Sequence, residues 1–211
     1  MTAPESQRAV TRRYERLSRI YDAYTQPMEW MGGSRRRRRL LAGAAGTVLE
    51  VGAGTGASLP HYPEGVDLVA LDIAAGMLAR ARRRAGRAGV DVGLVQGDAH
   101  RLPFADGTFD TTVATCVFCS VADPVRGLAE LARVTRPEGR VLLLEHVRPR
   151  SRLLGRLFDW LSPLTRRLFG PAINRRTEAN ARAAGLDFVA VRAEGVWREI
   201  HARPGNPAAR D

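Results

Sequence analysis

The chain has 211 residues, 45% of them hydrophobic, 26% charged and 6% aromatic, a length that suits one domain with a packed core. No run approaches the ~20 uninterrupted apolar residues of a spanning helix, and two cysteines cannot build a disulfide framework. All 33 basic residues are arginine, which excludes chemistry that needs a lysine amine: a Walker phosphate loop, a Schiff base, a Tyr-x-x-x-Lys hydride-transfer pair, a protein kinase site.

The formal net charge of +11 is uneven: residues 1–46 stand at +6 and 148–182 at +7, whereas 47–147 stand at −2. A slightly acidic centre thus lies between two basic segments, a pattern that suits an anionic surface. The opening Met1-Thr2-Ala3-Pro4-Glu5 lacks the basic-then-apolar profile of a signal peptide, which predicts a cytoplasmic chain.

Residues 8–24 read as one amphipathic helix ended by Pro27. Val10, Tyr14, Leu17, Tyr21 and Tyr24 recur at steps of three and four, and Arg8, Arg12, Arg13, Arg16 and Arg19 fill much of the remaining surface. The run Arg35 to Arg39 leads into a short helix through Leu40 and Leu41, closed by Gly43 and Gly46. From Thr47 the pattern alternates strand and helix. Strands are predicted at Val48–Val51, Val66–Leu71, Val90–Val95, Phe109–Ala114 and Val141–Leu144, with a turn at Pro137-Glu138-Gly139 before the last. Helices are predicted around Met77–Ala85, ending near Gly86 or Gly89, and over Pro124–Thr135. Such alternation indicates a parallel sheet with helices on both faces.

Residues 153–168 break the rhythm with a wide apolar stripe flanked by arginines. A short helix near Thr177–Ala184 follows, and then two closing strands, Phe188–Val191 and Val196–Ala202, whose short connection suits an antiparallel pair. The expected organisation is a basic helical lid over 1–46 and a main domain over 47–211, with a basic helical insertion at 148–182.

Glu50-Val51-Gly52-Ala53-Gly54-Thr55-Gly56 sits where the first strand turns toward a helix. Glycines there let the backbone approach a ligand, and the loop amides can receive an anionic group. Asp72 closes the second strand, where a carboxylate can accept both hydroxyls of a ribose. Gly97-Asp98-Ala99 follows the third, where an acid can take an adenine amino group. The dinucleotide fingerprint G-x-G-x-x-A is also satisfied, but Glu50 would repel a pyrophosphate and could help bind an amino-acid ammonium.

Val48 to Gly56, Leu71-Asp72, Gly97-Asp98-Ala99, Leu102-Pro103-Phe104, Phe109-Asp110 and Leu131 to Gly139 resemble, in order and spacing, the motif series of class I S-adenosylmethionine-dependent methyltransferases. The likeness is to the branch that includes quinone and phosphatidylethanolamine methyltransferases. It implies a Rossmann-like α/β fold with a seven-stranded, mostly parallel sheet whose last strand is antiparallel. It also implies S-adenosylmethionine as cofactor, with Gly52, Gly54 and Gly56 around its methionine part, Asp72 at the ribose and Asp98 at the adenine. Their neighbours Ala53, Ile73 and Ala99 belong to the same expected site, and by the same likeness Tyr21 folds over the cofactor and may reach its carboxylate. Thr115 to Val121, Glu145-His146-Val147, Asn174 to Thr177 and Ala184-Gly185-Leu186 resemble, more narrowly, animal methyltransferase-like thiol S-methyltransferases. The hydrophobic anchor of those proteins is replaced here by the Arg-rich helix, closer in kind to bacterial phospholipid N-methyltransferases, and Glu138 replaces a usual glycine.

Cys116-Val117-Phe118-Cys119 lacks the further cysteines of a zinc site, so no metal is expected and Cys116 is read as a thiol lining the cofactor pocket. His146, at the carboxyl edge of the sheet, is the candidate base or substrate contact, with Tyr24, Asn174 and Arg175 as further substrate candidates. The reaction expected is methyl transfer, nitrogen or sulfur favoured, to a small hydrophobic, amphipathic or lipid acceptor, with an anionic membrane surface on the inner face as the partner. A quinone carbon and RNA are the alternative acceptors, nucleic acid being disfavoured by the absence of aromatic clusters and base-methylation motifs. A peripheral membrane-binding protein with an inactive fold is the non-enzymatic alternative.

Overall fold

Burial alternates strictly along the central strands, and that alternation builds two cores. In the computed structural model, residues 7–147 and 176–205 and seven isolated positions between 151 and 162 are described. Strands β1 (Thr47–Val51), β2 (Asp67–Asp72), β3 (Gly93–Gln96), β4 (Phe109–Thr115), β5 (Thr135–His146), β6 (Leu186–Glu194) and β7 (Trp197–Pro204) form one sheet in the order β3-β2-β1-β4-β5-β7-β6. All neighbours from β3 to β5 are parallel, and β7 runs antiparallel to both β5 and β6. The fold is the expected seven-stranded Rossmann-like sheet with its last strand reversed.

Leu49, Val51, Ala114, Leu143 and Val141 point to one face and join Leu128, Leu131 and Val134 of α5 (Pro124–Val134). Val48, Val113, Leu142 and Leu144 point to the other and meet Leu40 and Leu41 of α3 (Ser34–Leu41) and Ala81 and Ala85 of α4 (Ala75–Ala88). Strands buried on both faces are the condition under which an α/β sheet stays parallel. Local signals set the helix ends: Asp123 accepts the Arg126 amide ahead of Pro124 in α5, and α4 stops at Gly89, whose φ is 66°.

The sequence reading is corrected at four places. The helix expected over 8–24 is two, α1 (Gln7–Leu17) and α2 (Tyr21–Met28), separated where the Ser18 hydroxyl bonds back to the Glu15 carbonyl. Pro27 lies inside α2, which widens at once into a π-turn over Glu29–Gly33; proline removes a donor and the helical ladder adjusts around it. The third strand begins at Gly93, not Val90, because its register starts from Val69↔Gly93. The fifth begins early, at Thr135, with residues 136–139 bulged between the pairs Phe109↔Thr135 and Thr111↔Arg140. Helix α6 (Thr177–Ala183) stands where it was expected. Most of the apolar stripe at 153–168 and of the 148–182 segment lies outside the described residues.

The Arg35–Arg39 run does not present a uniform basic face. Arg36 pairs with Glu194, Arg37 with Glu29, and Arg39 with Glu194 and Glu199, so three of the five side chains tie α3 to the π-turn and to the β6–β7 hairpin. Arg35 and Arg38 are exposed.

Leu143 is fully buried at the centre of β5. Leu143→Ala is expected to cost about 2–5 kcal/mol, read as a lower urea midpoint at unchanged slope.

Candidate functional site

Every parallel strand ends at the same edge of the sheet, so the loops after β1, β2, β3 and β4 meet there. The amides of Gly52 and Ala53 both donate to the Leu71 carbonyl, which binds the glycine loop to the end of β2. Asp72 fixes it further: its carboxylate accepts the Gly54 amide at 2.8 Å through one oxygen and the Ala74 amide at 2.9 Å through the other. Burial raises the pKa of this carboxyl and the backbone amides of Ala74, Gly54 and Ile73 oppose the rise.

The three loop glycines have positive φ but different duties. A Cβ on Gly52 would collide with Val117, and one on Gly56 would lie 2.8 Å from Leu59 and 3.0 Å from the Ala81 backbone. Gly54 is different. A Cβ there would meet only Tyr21, at 3.9 Å, so the loop offers its backbone to open space.

That space is a cavity of about 620 Å³, within the ~300–1,000 Å³ range of small-molecule sites. Gly52, Gly54, Asp72 and Ile73 form its floor, Met77, Gly97, Ala99 and Val121 one side, and Thr115, Cys116, Val117 and Ser120 the other. Val10, Tyr14 and Tyr21 close it from the N-terminal helices. This roof is latched by polar contacts: the Tyr14 hydroxyl donates to Ser120 at 2.6 Å, Gly76 donates its amide to Glu15, and Asp22 accepts the Thr55 hydroxyl and pairs with Arg84. Burial pushes both the Tyr14 and Tyr21 hydroxyls up, so both remain protonated donors.

At the end of β5, Glu145 and His146 grip the loop after β4 from opposite faces. One oxygen of the fully buried Glu145 accepts the amides of Val117 and Phe118, each at 2.9 Å. On the other face His146 Nδ1 lies 3.6 Å from the Cys116 sulfur, and its ring packs 3.7 Å from that of Trp197, over which Arg36 is placed. Cys116, with φ at 58°, is the non-glycine residue in the left-handed region among the described residues, a conformation that stores strain. Burial, then the Glu145 charge, pushes the Cys116 thiol up. Burial, then Arg36, pushes His146 down to about 4. At neutral pH both groups are uncharged.

Of the expected site residues, Gly52, Gly54, Asp72, Ile73, Ala99, Cys116 and Tyr21 line the cavity. Ala53 and Gly56 are buried behind the loop. Asp98 lies off the lining, with one carboxylate oxygen taken by the amide and ring of His100. Glu50 is also off it, 1% exposed on the α3 side. Neither of its oxygens accepts a hydrogen bond of normal geometry, and burial pushes it up to about 7 beside Ser58, Arg37 and Tyr62. His146 reaches the cavity wall through Cys116. Asn174, Arg175 and the Tyr24 side chain lie outside the described residues. Sequence reasoning did not mark Glu145, Asp22, Glu15 or Ser120. An acid directly after an apolar strand was the signal for Glu145, and the other three carry no local one.

A methyltransferase domain model matches residues 49–143. The chain is 42% identical over 142 residues to a phosphatidylethanolamine N-methyltransferase of Cereibacter sphaeroides, covering 65% of this chain and 68% of that protein. It is 42% identical over 125 residues to a demethylmenaquinone methyltransferase of Renibacterium salmoninarum, covering 56% of this chain and 51% of the relative, so it spans about half the length of that protein. An S-adenosylmethionine-dependent methyltransferase of Thermotoga maritima, described as a possible histamine N-methyltransferase, superposes with a TM-score of 0.72 at 20% identity over 92% of this chain and 99% of that one.

The two shifted groups titrate with opposite sign. From pH 4.5 to about 7, folded Glu50 keeps a proton the unfolded chain has lost, so its contribution to stability falls as pH rises. From about 4 to 6.5 the unfolded chain holds the extra proton on His146, and that contribution grows. Glu50→Gln is expected to make stability climb more steeply with pH across this window, measured as urea midpoints at its two ends. A profile parallel to that of the unsubstituted protein would remove Glu50 from the titration.

Proposed function

The chain belongs to the S-adenosylmethionine-dependent methyltransferases, and we propose that it carries the cofactor's methyl group to a nitrogen or sulfur atom of a small hydrophobic or amphipathic acceptor, lipids among them. The observation that supports this most is the open backbone of Gly54 beside the buried Asp72 carboxylate inside a roofed cavity. The residues present fit the group. Each Asp72 oxygen accepts one amide and retains a lone pair for a ribose hydroxyl. Ile73, Met77 and Ala99 offer apolar walls to a purine.

When bound, S-adenosylmethionine supplies a methyl on a sulfonium, already activated for displacement. The chain's own part is to hold the partners in line and keep water out, and positioning of this kind supplies much of a rate enhancement. Tyr14 and Tyr21 close the roof. Burial keeps the Cys116 sulfur as a thiol, so it does not compete for the methyl. His146, neutral at working pH, stands at the acceptor end. With Nδ1–H donated to the Cys116 sulfur, its Nε2 lone pair is free to take the proton that an amine or thiol loses.

A quinone carbon is the second reading, favoured by the identity to the demethylmenaquinone methyltransferase. Incubation with methyl-labelled cofactor and, separately, an alkyl thiol, phosphatidylethanolamine and a demethylated quinone distinguishes these acceptors by product, and label in the amine or thiol product is expected. Label confined to the quinone would replace the first reading with the second.

Asp72→Ala is expected to raise the Kd for S-adenosylmethionine roughly tenfold to a hundredfold, the worth of a hydrogen bond to a charged group, in titration calorimetry. His146→Ala is expected to lower kcat for the methylated acceptor and leave the cofactor Kd unchanged; an unaltered kcat would remove His146 from the reaction.

A further inference from the structure

Charges in residues 7–42 are sorted by side. The three carboxylates of this stretch are all engaged by the chain itself: Glu15 by the Gly76 amide, Asp22 by Thr55 and Arg84, and Glu29 by Arg37 and Ser34. Arg36, Arg37 and Arg39 are turned to carboxylates in the same way. What remains exposed is Arg8, Arg12, Arg16, Arg19, Arg35 and Arg38, with no exposed acid among them. On α1 the first three recur every fourth residue, which draws them into one ridge.

Large apolar side chains share this outer side. Trp30 and Met31 are 79% and 71% exposed at the π-turn, where Gly32 bends the chain with a φ of 98°, and Ile20 is 59% exposed between α1 and α2. A lone exposed hydrophobe is ordinary. Two adjacent ones at the tip of a bend, followed by exposed arginines, form a wedge with a cationic rim. The π-turn lies at the cavity end of the sheet, because Glu29 and Arg36 both act on His146. The inner side of α1 meanwhile lends Val10 and Tyr14 to the cavity.

We propose that the outer side of residues 7–42 docks on an anionic phospholipid surface, with its arginines at the headgroup phosphates and Trp30 and Met31 inserted below them. Tryptophan favours that interface, and clustered arginines are drawn to anionic leaflets. No helix among the described residues is long and apolar enough to cross a membrane, so the contact is peripheral. One exposed tryptophan gives no series of platforms for stacking successive bases, which makes single-stranded RNA the poorer fit. The proposal rests on the reading of the acceptor as amphipathic or lipid-borne, and it places the cavity mouth where such a molecule would be delivered.

Flotation of the full chain with vesicles tests this without methyl transfer. Binding to equimolar phosphatidylglycerol and phosphatidylcholine at low salt, release at high salt and no binding to phosphatidylcholine alone are expected. R35Q/R38Q and W30S/M31S should each lower the partition coefficient roughly tenfold. R87Q/R203Q removes two exposed charges at the opposite end of the sheet and should leave it unchanged. Absence of binding to the anionic vesicles, an undiminished partition in either outer-side variant, an equal loss in R87Q/R203Q, or displacement of the vesicles by single-stranded RNA would each overturn the proposal. Calorimetric binding of S-adenosylmethionine to the same samples reports on the methyltransferase reading separately.

Discussion

At the tip of β2 a single carboxylate, Asp72, holds the amide of Gly54 from one loop and that of Ala74 from the next. Glu145 repeats the arrangement at the tip of β5 with the amides of Val117 and Phe118. A carboxylate taken out of water must be paired or hydrogen-bonded, and here backbone donors fill the need. The consequence is a floor set before any ligand arrives: glycine loop, β2 loop and β4 loop are each tied to a neighbouring strand end. The cavity exists because those ties hold irregular backbone at the one edge where a parallel sheet gathers its loops.

The N-terminal layer adds the roof and the outward charge. Helical periodicity divides its arginines. Arg36 and Arg39, three apart, turn to Glu194 and Glu199 on the hairpin, while Arg35 and Arg38, equally spaced, turn to solvent. The same five-residue run therefore both anchors α3 and charges the surface. The latches from Glu15, Tyr14 and Asp22 are few and polar, and each joins residues far apart in sequence. A roof held this way can open with a small loss of buried apolar surface, which suits a site that must exchange its contents.

Much of the fold was legible because strands and helices were written in local code. Val48–Val51 and Phe109–Ala114 are short β-branched or aromatic runs between turns, and each is a strand in the sheet. Pro124 after Asp123 and Gly89 after Ala88 marked helix ends. The misses share a cause. The split between α1 and α2 depends on the Ser18 side chain bonding to backbone, and the early start of β5 on its pairing with Phe109. The candidate site was legible to the level of strand tips and no further. Asp72 turned into the cavity floor, while Asp98 turned to His100 and Glu50 went beneath the loop toward Tyr62 and Arg37.

Order, spacing and residue type along the chain thus determined the alternating fold, the glycine turn, the carboxylates at strand ends and the segregation of basic charge. Only the folded structure decided which carboxylate faces the cavity, which arginines are neutralised by partners, and that Cys116, His146 and Trp197 stand together. The reason is the range of the interactions. Periodicity and capping act within a turn or two of chain, and a reader of the sequence can see that far. The direction of a side chain at a loop is set by hydrogen bonds and ion pairs to residues distant along the chain, up to 106 positions for Tyr14 and Ser120, and these exist only once the sheet has brought its ends together.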